Sequence, residues 1–286
     1  MKKTIPFLVV LLFFSCHNLF DGKNGKRVTH FKGTNKVRQS IEYKNQKLNG
    51  WWEEYYINGK LKSKKYYIND TIHDTSYYYH ENGALAEMNI FEKGSKEGCW
   101  KKYNNKGVLY TEMNFSDNDL NGFVTTYSYN SGKLLKRQNY YNGRADGLQE
   151  FFYKNGHKKC SFELHASDPC QGLCEWDENG KPINNHFKIY VTELNKLLLE
   201  GKLKFEIRLE HPQADDIVME VYEKGDKVCS SSGSHYKRVD DHFEVSFAVS
   251  KGSFIMQQVK IAAIRKTKMG NSMIETTTFT VSSTNF

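Results

Sequence analysis

The feature that most constrains the fold is a repeat with a period of about 24 residues. An Asn-Gly dipeptide or a close variant recurs along the first part of the chain, and the successive glycines are 24, 24, 25, 24 and 24 residues apart. The six dipeptides are Asn58-Gly59, Asn82-Gly83, Lys106-Gly107, Ser131-Gly132, Asn155-Gly156 and Asn179-Gly180. A fixed period of this length indicates small structural units that must pack against their neighbours.

Other sequence positions keep phase with this turn. Aromatic residues stand four positions before the turn glycine, at Tyr55, Tyr79, Tyr103, Phe152 and Trp176. A second glycine recurs about nine residues before it, at Gly50, Gly98, Gly122, Gly147 and Gly172. Strand-forming residues on both sides of Asn-Gly are typical of a β-hairpin. We therefore expect Asn-Gly to form a tight primed turn and the second glycine to mark the return turn, which gives an antiparallel meander.

The motif Tyr55-Tyr56-Ile57-Asn58-Gly59-Lys60-Leu61 resembles the variant MORN repeat of bacteria, as found in the YwqK-like group that is often labelled as antitoxins. The resemblance extends over roughly residues 25 to 183. It implies a β-hairpin array used for contact, with no catalytic residues to carry over. It also implies an alternative role, in which an antitoxin or immunity protein neutralises a toxin partner.

The period stops near His186 and alternating apolar residues take over. Six or seven such runs over about a hundred residues are typical of an antiparallel β-sandwich of immunoglobulin-like size. The segment Leu194 to Leu199 could form a short helical turn or part of a strand. The sequence thus predicts an all-β chain, with a MORN-like hairpin meander over residues 25–185 and a small β-sandwich over residues 186–286.

The N-terminus predicts export and a lipid anchor. Lys2 and Lys3 precede an apolar run of about ten residues, which is too short to span a membrane of ~30 Å. The stretch Phe13-Phe14-Ser15-Cys16 resembles the lipobox of bacterial lipoproteins. We therefore expect residues 1–15 to be a signal peptide, Cys16 to be lipidated, and residues 16–24 to be a short linker. The alternative is an ordinary signal peptide that contains a cysteine.

Charge and export together restrict the partners. The formal net charge is +8, spread along the chain without a basic stripe, so nucleic acid is not an expected partner. The expected partners are the membrane, which the lipid anchor would contact, and an envelope protein or glycan. The expected location is the cell envelope, at the outer membrane or cell surface in preference to the inner membrane.

The cysteines leave three interpretations open. An exported chain permits disulfides, and Cys160, Cys170 and Cys174 are close enough in sequence for one bridge among them. Free thiols are the second interpretation. The third is zinc bound by these cysteines with His157 and His165, although their spacing lacks the tight pairs of structural zinc sites. Asp117-Asn118-Asp119 faintly resembles a calcium loop, but the further acids of such a loop are missing, so a turn is expected there.

Aromatic residues provide the candidate binding surface, formed by Trp51, Trp52, Tyr56 and Trp100. Aromatic rings on an open sheet offer a large contact area at low entropy cost. The alternative is that these residues form the core ladder of the array, because Trp52 and Trp100 share one repeat position. The sequence shows no nucleophile elbow, phosphate loop or paired-carboxylate signature. The expected function is accordingly a non-enzymatic binding scaffold without a metal or other cofactor.

Overall fold

The computed structural model describes residues 23–194, 201–221, 228–230 and 233–285. The secondary structure in these ranges consists of β-strands joined by turns and loops, which confirms the all-β prediction. The chain divides into two compact units, Met1–Ser95 and Lys96–Phe286. This boundary lies inside the repeat region. The predicted signal peptide, the Cys16 anchor and most of the Leu194 to Leu199 segment lie outside the described residues.

The first unit contains an antiparallel meander in which consecutive strands pair along the chain. Its strands are β1 (Gly25–His30), β2 (Val37–Lys44), β3 (Lys47–Tyr55), β4 (Leu61–Ile68), β5 (Thr71–Tyr79) and β6 (Leu85–Glu92). Ser40, Glu53, Lys64 and Tyr77 pair in succession across four strands and therefore lie on one face of the sheet. The two-residue strand β7 (Ser95–Lys96) follows in sequence at the boundary of the units.

The second unit continues the same hairpin pattern. Its repeat strands are β8 (Gly98–Tyr103), β9 (Leu109–Ser116), β10 (Asp119–Tyr127), β11 (Leu134–Tyr141), β12 (Arg144–Phe152), β13 (Lys158–His165), β14 (Asp168–Pro169), β15 (Cys174–Trp176) and β16 (Pro182–Ile183). Strands β8 to β13 pair antiparallel in chain order. The predicted hairpin-repeat meander is confirmed within each unit.

The two kinds of turn differ from the prediction in their geometry. At the Asn58-Gly59 turn only Gly59 has a positive φ, of 84°, and Tyr56 N donates to Lys60 O at 2.8 Å. The turn is therefore a longer loop that ends in a left-handed glycine. The two consecutive positive φ angles of a primed turn occur instead at the return turns, for example 52° at Asn45 and 66° at Gln46.

The second glycine lies within a strand, so its assignment to the return turn was wrong. Gly50 has a φ of 118° inside β3. Ile41 pairs with Trp52 and Tyr43 pairs with Leu48, so the register shifts opposite this glycine. An irregularity of this kind leaves backbone groups outside the strand ladder. The freed Trp51 N–H donates to Glu42 Oε2 at 3.0 Å.

Successive hairpins are joined by hydrogen bonds that repeat with the period. At the return turns, the N–H groups of Asp70 and Gly94 donate to carbonyls 22 residues earlier, each over 2.9 Å. At the other turns, Asn58 Nδ2 donates to Glu81 O at 3.0 Å and Asn155 Nδ2 donates to Glu178 O. Each hairpin therefore depends on its neighbour for the hydrogen bonds of its turn, as expected for stacked repeats.

The C-terminal part of the second unit contains two further sheets. One has the order β17 (Ile189–Glu193), β18 (Lys202–Leu209), β21 (His242–Ala248) and β20 (Arg238–Val239), and the other has the order β19 (Ile217–Glu220), β22 (Ser253–Lys266) and β23 (Ser272–Asn285). Buried side chains of both sheets, including Ile207 and Ile261, belong to one hydrophobic core. Two antiparallel sheets around a shared core form the expected β-sandwich.

The last repeat hairpin shares this core, a feature that the sequence did not predict. Cys160 on β13 is buried within the core of the sandwich, and Phe151 and Phe162 pack against it. The repeats and the sandwich are therefore one packed body within the second unit. No helix long and apolar enough for a membrane span occurs in the part of the chain that the structure describes.

Candidate functional site

One candidate surface is the Trp51 face, which we define by Trp51, Glu53, Lys64 and Tyr66 on strands β3 and β4. Trp51 pairs with Tyr66 across the strands, with their ring centroids 5.0 Å apart in an edge-on arrangement. Lys64 Nζ lies 4.1 Å from the centroid of the Trp51 ring and 3.4 Å from Glu53 Oε1. All four side chains are half-buried. The face therefore presents an aromatic ring, a cation and a carboxylate together.

The opposite side of these strands carries the Trp52 face, defined by Ile41, Trp52, Lys65 and Tyr67. Trp52 and Tyr67 lie 5.8 Å apart, and Lys65 Nζ lies 5.7 Å from the Trp52 centroid. Ile41 is buried, and the buried Trp52 Nε1 has no acceptor among the residues that the structure describes. The Trp52 face is thus the more core-like of the two. The adjacent tryptophans of β3 occupy different environments, as strand alternation requires.

A lysine over an indole ring recurs in the second unit. Lys96 Nζ lies 5.0 Å from the Trp100 centroid, and Trp100 packs on Phe115 at 4.9 Å. Lys158 Nζ lies 5.6 Å from the Trp176 centroid. All four tryptophans of the chain therefore have a lysine ammonium within the distance of a cation–π interaction.

The predicted binding residues are thus distributed between different roles. Trp51 and Trp100 are half-buried beside a lysine, as is Trp52 on its more enclosed face. Tyr56 instead joins two hairpins, because its hydroxyl donates to Tyr79 O at 2.7 Å. Tyr153 repeats this bond to Trp176 O at 2.9 Å. The Tyr56 position therefore stabilises the stacking of the repeats. The repeat columns do not reveal the lysine partners, because three of them lie on a neighbouring strand and Lys96 lies four residues before Trp100.

A charge cluster on the strands of the second unit surrounds the buried carboxylate of Glu150, and its two cations are more exposed. Arg137 donates to Glu150 Oε2 through Nε at 2.9 Å and Nη2 at 2.6 Å, and Lys158 Nζ lies 2.7 Å from Glu150 Oε1. Burial alone would raise the pKa of the Glu150 carboxyl, but the hydrogen bonds and charges of Lys158 and Arg137 outweigh it and lower that pKa from 4.5. The cluster keeps Glu150 ionised and holds strands β11 to β13 together.

The cysteine prediction requires a correction. The structure joins Cys170 to Cys229, whereas Cys160 and Cys174 are free thiols. The expected bridge within the group Cys160, Cys170 and Cys174 is therefore wrong. Cys160 is buried in the core and Cys174 is exposed, so the fold separates side chains that are close in sequence. The sequence does not reveal the pairing of Cys170 with Cys229, because the two are 59 positions apart and only the tertiary fold brings them together.

The two metal alternatives find no support in the described residues. No group of three or more His, Cys, Asp or Glu side chains there could hold a metal ion. Asp117 and Asn118 have φ angles of 47° and 73° and form a primed return turn. Asn118 Oδ1 accepts the N–H of Lys96 at 3.0 Å, which ties this turn to the preceding hairpin.

Stacked hairpins with periodic turn bonds and aromatic side chains define a repeat module. Two segments, residues 48–69 and 96–117, match the family described as MORN repeat variant. The chain therefore carries repeats of the MORN type, with one matched segment in each unit. The family is a non-catalytic repeat module. No curated protein matches the sequence.

Proposed function

We propose that this chain is a non-enzymatic scaffold of the bacterial envelope, held at a membrane by a lipid on Cys16, whose repeat array binds a partner. The observation that carries the proposal is the lysine over every tryptophan ring. The half-buried indoles keep part of their surface accessible. Because the ring and the cation are already held together, they lose little conformational entropy when a partner binds.

The chemistry of the Trp51 face suggests the kind of partner. An indole edge offers apolar contact, Lys64 offers a charged donor, and Glu53 offers an acceptor. An apolar ring beside a charged donor and an acceptor fits an extended polar chain better than a small apolar ligand. That chain is either an envelope polypeptide or a glycan. The side-chain relative exposure of Glu53 is 18% and that of Lys64 is 31%, so both groups are partly desolvated and held in place.

Binding measurements on tryptophan variants test the scaffold proposal. Purified protein is immobilised and titrated with defined peptidoglycan fragments and with purified envelope proteins. We expect saturable binding that falls about tenfold or more in Trp51→Ala and Trp100→Ala, because large buried aromatic contacts dominate interface energetics. Tyr141→Ala is the matched control, since Tyr141 is an exposed aromatic residue at 62%. Absence of saturable binding, or an equal loss in the control, contradicts the proposal.

The lipid anchor is tested separately. Wild type and Cys16→Ser are expressed in a bacterial host that is fed an alkyne-labelled fatty acid. We expect label and membrane association for the wild type and neither for Cys16→Ser. Cys174→Ser, which removes an exposed free thiol, should behave as wild type. An unlabelled wild-type protein contradicts the anchor.

The alternative proposal is an antitoxin or immunity role, which rests on the resemblance to the YwqK-like group and on the matched MORN repeats. It requires a toxin, encoded nearby, that inhibits growth when this protein is missing. Co-expression should restore growth, and Trp51→Ala should restore it less well if the array binds the toxin. Failure of the wild type to restore growth excludes this role.

A further inference from the structure

The strand β23 lies at the edge of its sheet and differs from the other edge strands of the chain. It has 14 residues and pairs with β22 in one unbroken register. The edge strands β16, β19 and β20 have two, four and two residues, and β17 has five. The strand β1 carries Lys26 and Arg27 and has a register shift. Short length, charge and irregular register prevent edge strands from pairing with another chain, and β23 has none of these from Thr276 onwards.

The segment Thr276–Thr284, which we call the β23 edge, has the composition of a pairing strand. It consists of five threonines, two serines, one phenylalanine and one valine, without charge, proline or glycine. Threonine, valine and phenylalanine favour strands. Within the described ranges, its backbone hydrogen bonds go to β22. About half of the N–H and C=O groups of an edge strand point away from its neighbour, so the β23 edge can accept one further strand.

The side chains of the β23 edge complement those of a second copy. If two copies lie antiparallel about the central residue Thr280, Thr280 faces its counterpart and each Phe279 faces Val281 of the other copy. Thr278 then faces Ser282. Aromatic residues opposite β-branched ones, and hydroxyl residues opposite each other, are favourable cross-strand pairs. Val281 is buried and Phe279 packs against the core of the sandwich, so both pairs of Phe279 with Val281 lie on the core-facing side of the sheet.

We propose that two copies of this chain form a dimer by antiparallel pairing of their β23 edges. The two three-stranded sheets become one sheet, and about eight backbone hydrogen bonds form between the copies. The overlap contains no charged residue, since Glu275 lies just outside it, so no like charges face each other. Both copies use the same surface, so the assembly closes after two chains. This surface belongs to the sandwich, and the dimer does not rest on the scaffold proposal.

Sedimentation velocity of the purified full chain, kept unlipidated by Cys16→Ser, tests the dimer over a series of concentrations. We expect a reversible change from one chain to two as the concentration rises. Thr280→Glu places two carboxylates opposite each other and should raise the dissociation constant at least about tenfold. Ser246→Glu is the matched control, because Ser246 is an exposed residue of the other sheet and pairs with Lys204. It should change the dissociation constant less than about twofold.

Thermal unfolding checks that each variant is folded. A chain that stays monomeric at every concentration overturns the proposal, as does an equal effect of Ser246→Glu.

Cysteine cross-linking tests the register of the pairing. In a Cys174→Ser background, which removes an exposed free thiol, Thr280→Cys should form a disulfide between two chains, because the two sulfurs face each other. Thr278→Cys alone should not, since its counterpart lies opposite Ser282, too far along the strand for a bridge. Thr278→Cys combined with Ser282→Cys should cross-link again. Non-reducing gels and mass spectrometry identify the bridges, and equal cross-linking by Thr278→Cys alone contradicts the proposed pairing.

Discussion

Cys170 is bonded through its sulfur to Cys229, 59 positions further along the chain. The two residues also form an antiparallel backbone bridge. On either side of it, Gln171 N donates to Val228 O at 2.7 Å and Ser230 N donates to Pro169 O at 2.8 Å. A covalent bond and a short ladder thus fasten the end of the last repeat to the sandwich.

Loss of this bond should destabilise the second unit. The disulfide closes a loop of 59 positions, and disulfides typically contribute about 2–4 kcal/mol by restricting the unfolded chain. We expect Cys229→Ser to lower the free energy of unfolding by about that amount in urea titrations. Cys174→Ser, which removes an exposed free thiol, is the control and should unfold like the wild type. If the two variants unfold alike, the bridge does not contribute to stability.

The periodic columns of the sequence were sufficient to predict the hairpin array but not the type of each turn. Asn-Gly fits a primed turn and also a longer loop with one left-handed glycine, because both place glycine at positive φ. At this turn Asn58 Oδ1 accepts the Lys60 N–H at 3.0 Å, a local bond that accompanies the longer loop. The return turns lack a common dipeptide, since Asn45-Gln46 and Ala166-Ser167 serve equally. Sequence pattern alone could not locate them.

The candidate site was predicted only in its aromatic part. Trp51 and Trp100 stand in repeat columns, which the sequence displays directly. Lys64 reaches Trp51 through the pairing of β3 with β4, whereas Lys96 lies four residues before Trp100 in the same segment, so no single repeat column displays both lysine partners. The pairing of Cys170 with Cys229 depends on how the sandwich packs against the last repeat, which is a tertiary property.

Substitution of Gly50 should cost more than substitution of a turn glycine. A Cβ at Gly50 would lie 2.2 Å from Glu42 Oε2 and 2.9 Å from Glu42 Cβ. Gly50→Ala must therefore displace the carboxylate that accepts the Trp51 N–H, in addition to straining a backbone with φ +118°. Gly59→Ala has φ +84° and no atom within 4 Å of the new Cβ, so it carries the backbone strain alone.

We expect the Gly59→Ala variant to lose about 1–2 kcal/mol of unfolding free energy in urea, the usual cost of a left-handed residue with a side chain. Gly50→Ala should lose at least about 1 kcal/mol more, from the displaced hydrogen bond to a charged acceptor. Equal losses in the two variants would show that Glu42 moves aside without cost.

Protonation of Glu150 should contribute to acid unfolding. Lys158 and Arg137 lower the pKa of the buried Glu150 carboxyl below 4.5, so the ionised group stabilises the fold above that pH. The contribution is lost as the pH falls through the lower pKa of the folded state. Glu150→Gln should therefore reduce the free energy of unfolding by about 1–3 kcal/mol at pH 7, and the difference from wild type should shrink below pH 4.5.

Urea titrations between pH 3 and pH 7 measure this difference. Glu178→Gln removes an exposed carboxylate from the same unit and should have little effect at any pH, since exposed charges contribute little. If Glu150→Gln loses the same unfolding free energy at every pH in this range, ionisation of Glu150 is not the cause of the loss.

The thiol of Cys99 should react unusually slowly. Burial first, and then the hydrogen bond from its Sγ to Glu112 Oε1 at 3.1 Å, raise its pKa from 9.0 to about 11. Because the thiolate is the reactive form, alkylation by iodoacetamide at pH 8 should be about 100-fold slower than for a thiol of ordinary pKa. Mass spectrometry of peptides after timed alkylation gives the rate at Cys99. That rate should keep rising from pH 9 to pH 10, where an ordinary thiol levels off.

Glu112→Gln should speed the reaction of Cys99, because it removes the negative charge that opposes ionisation of the thiol. Glu81→Gln, which changes an exposed carboxylate elsewhere, should not. If Glu112→Gln leaves the rate and its pH profile unchanged, simple steric protection of Cys99 explains the slow reaction.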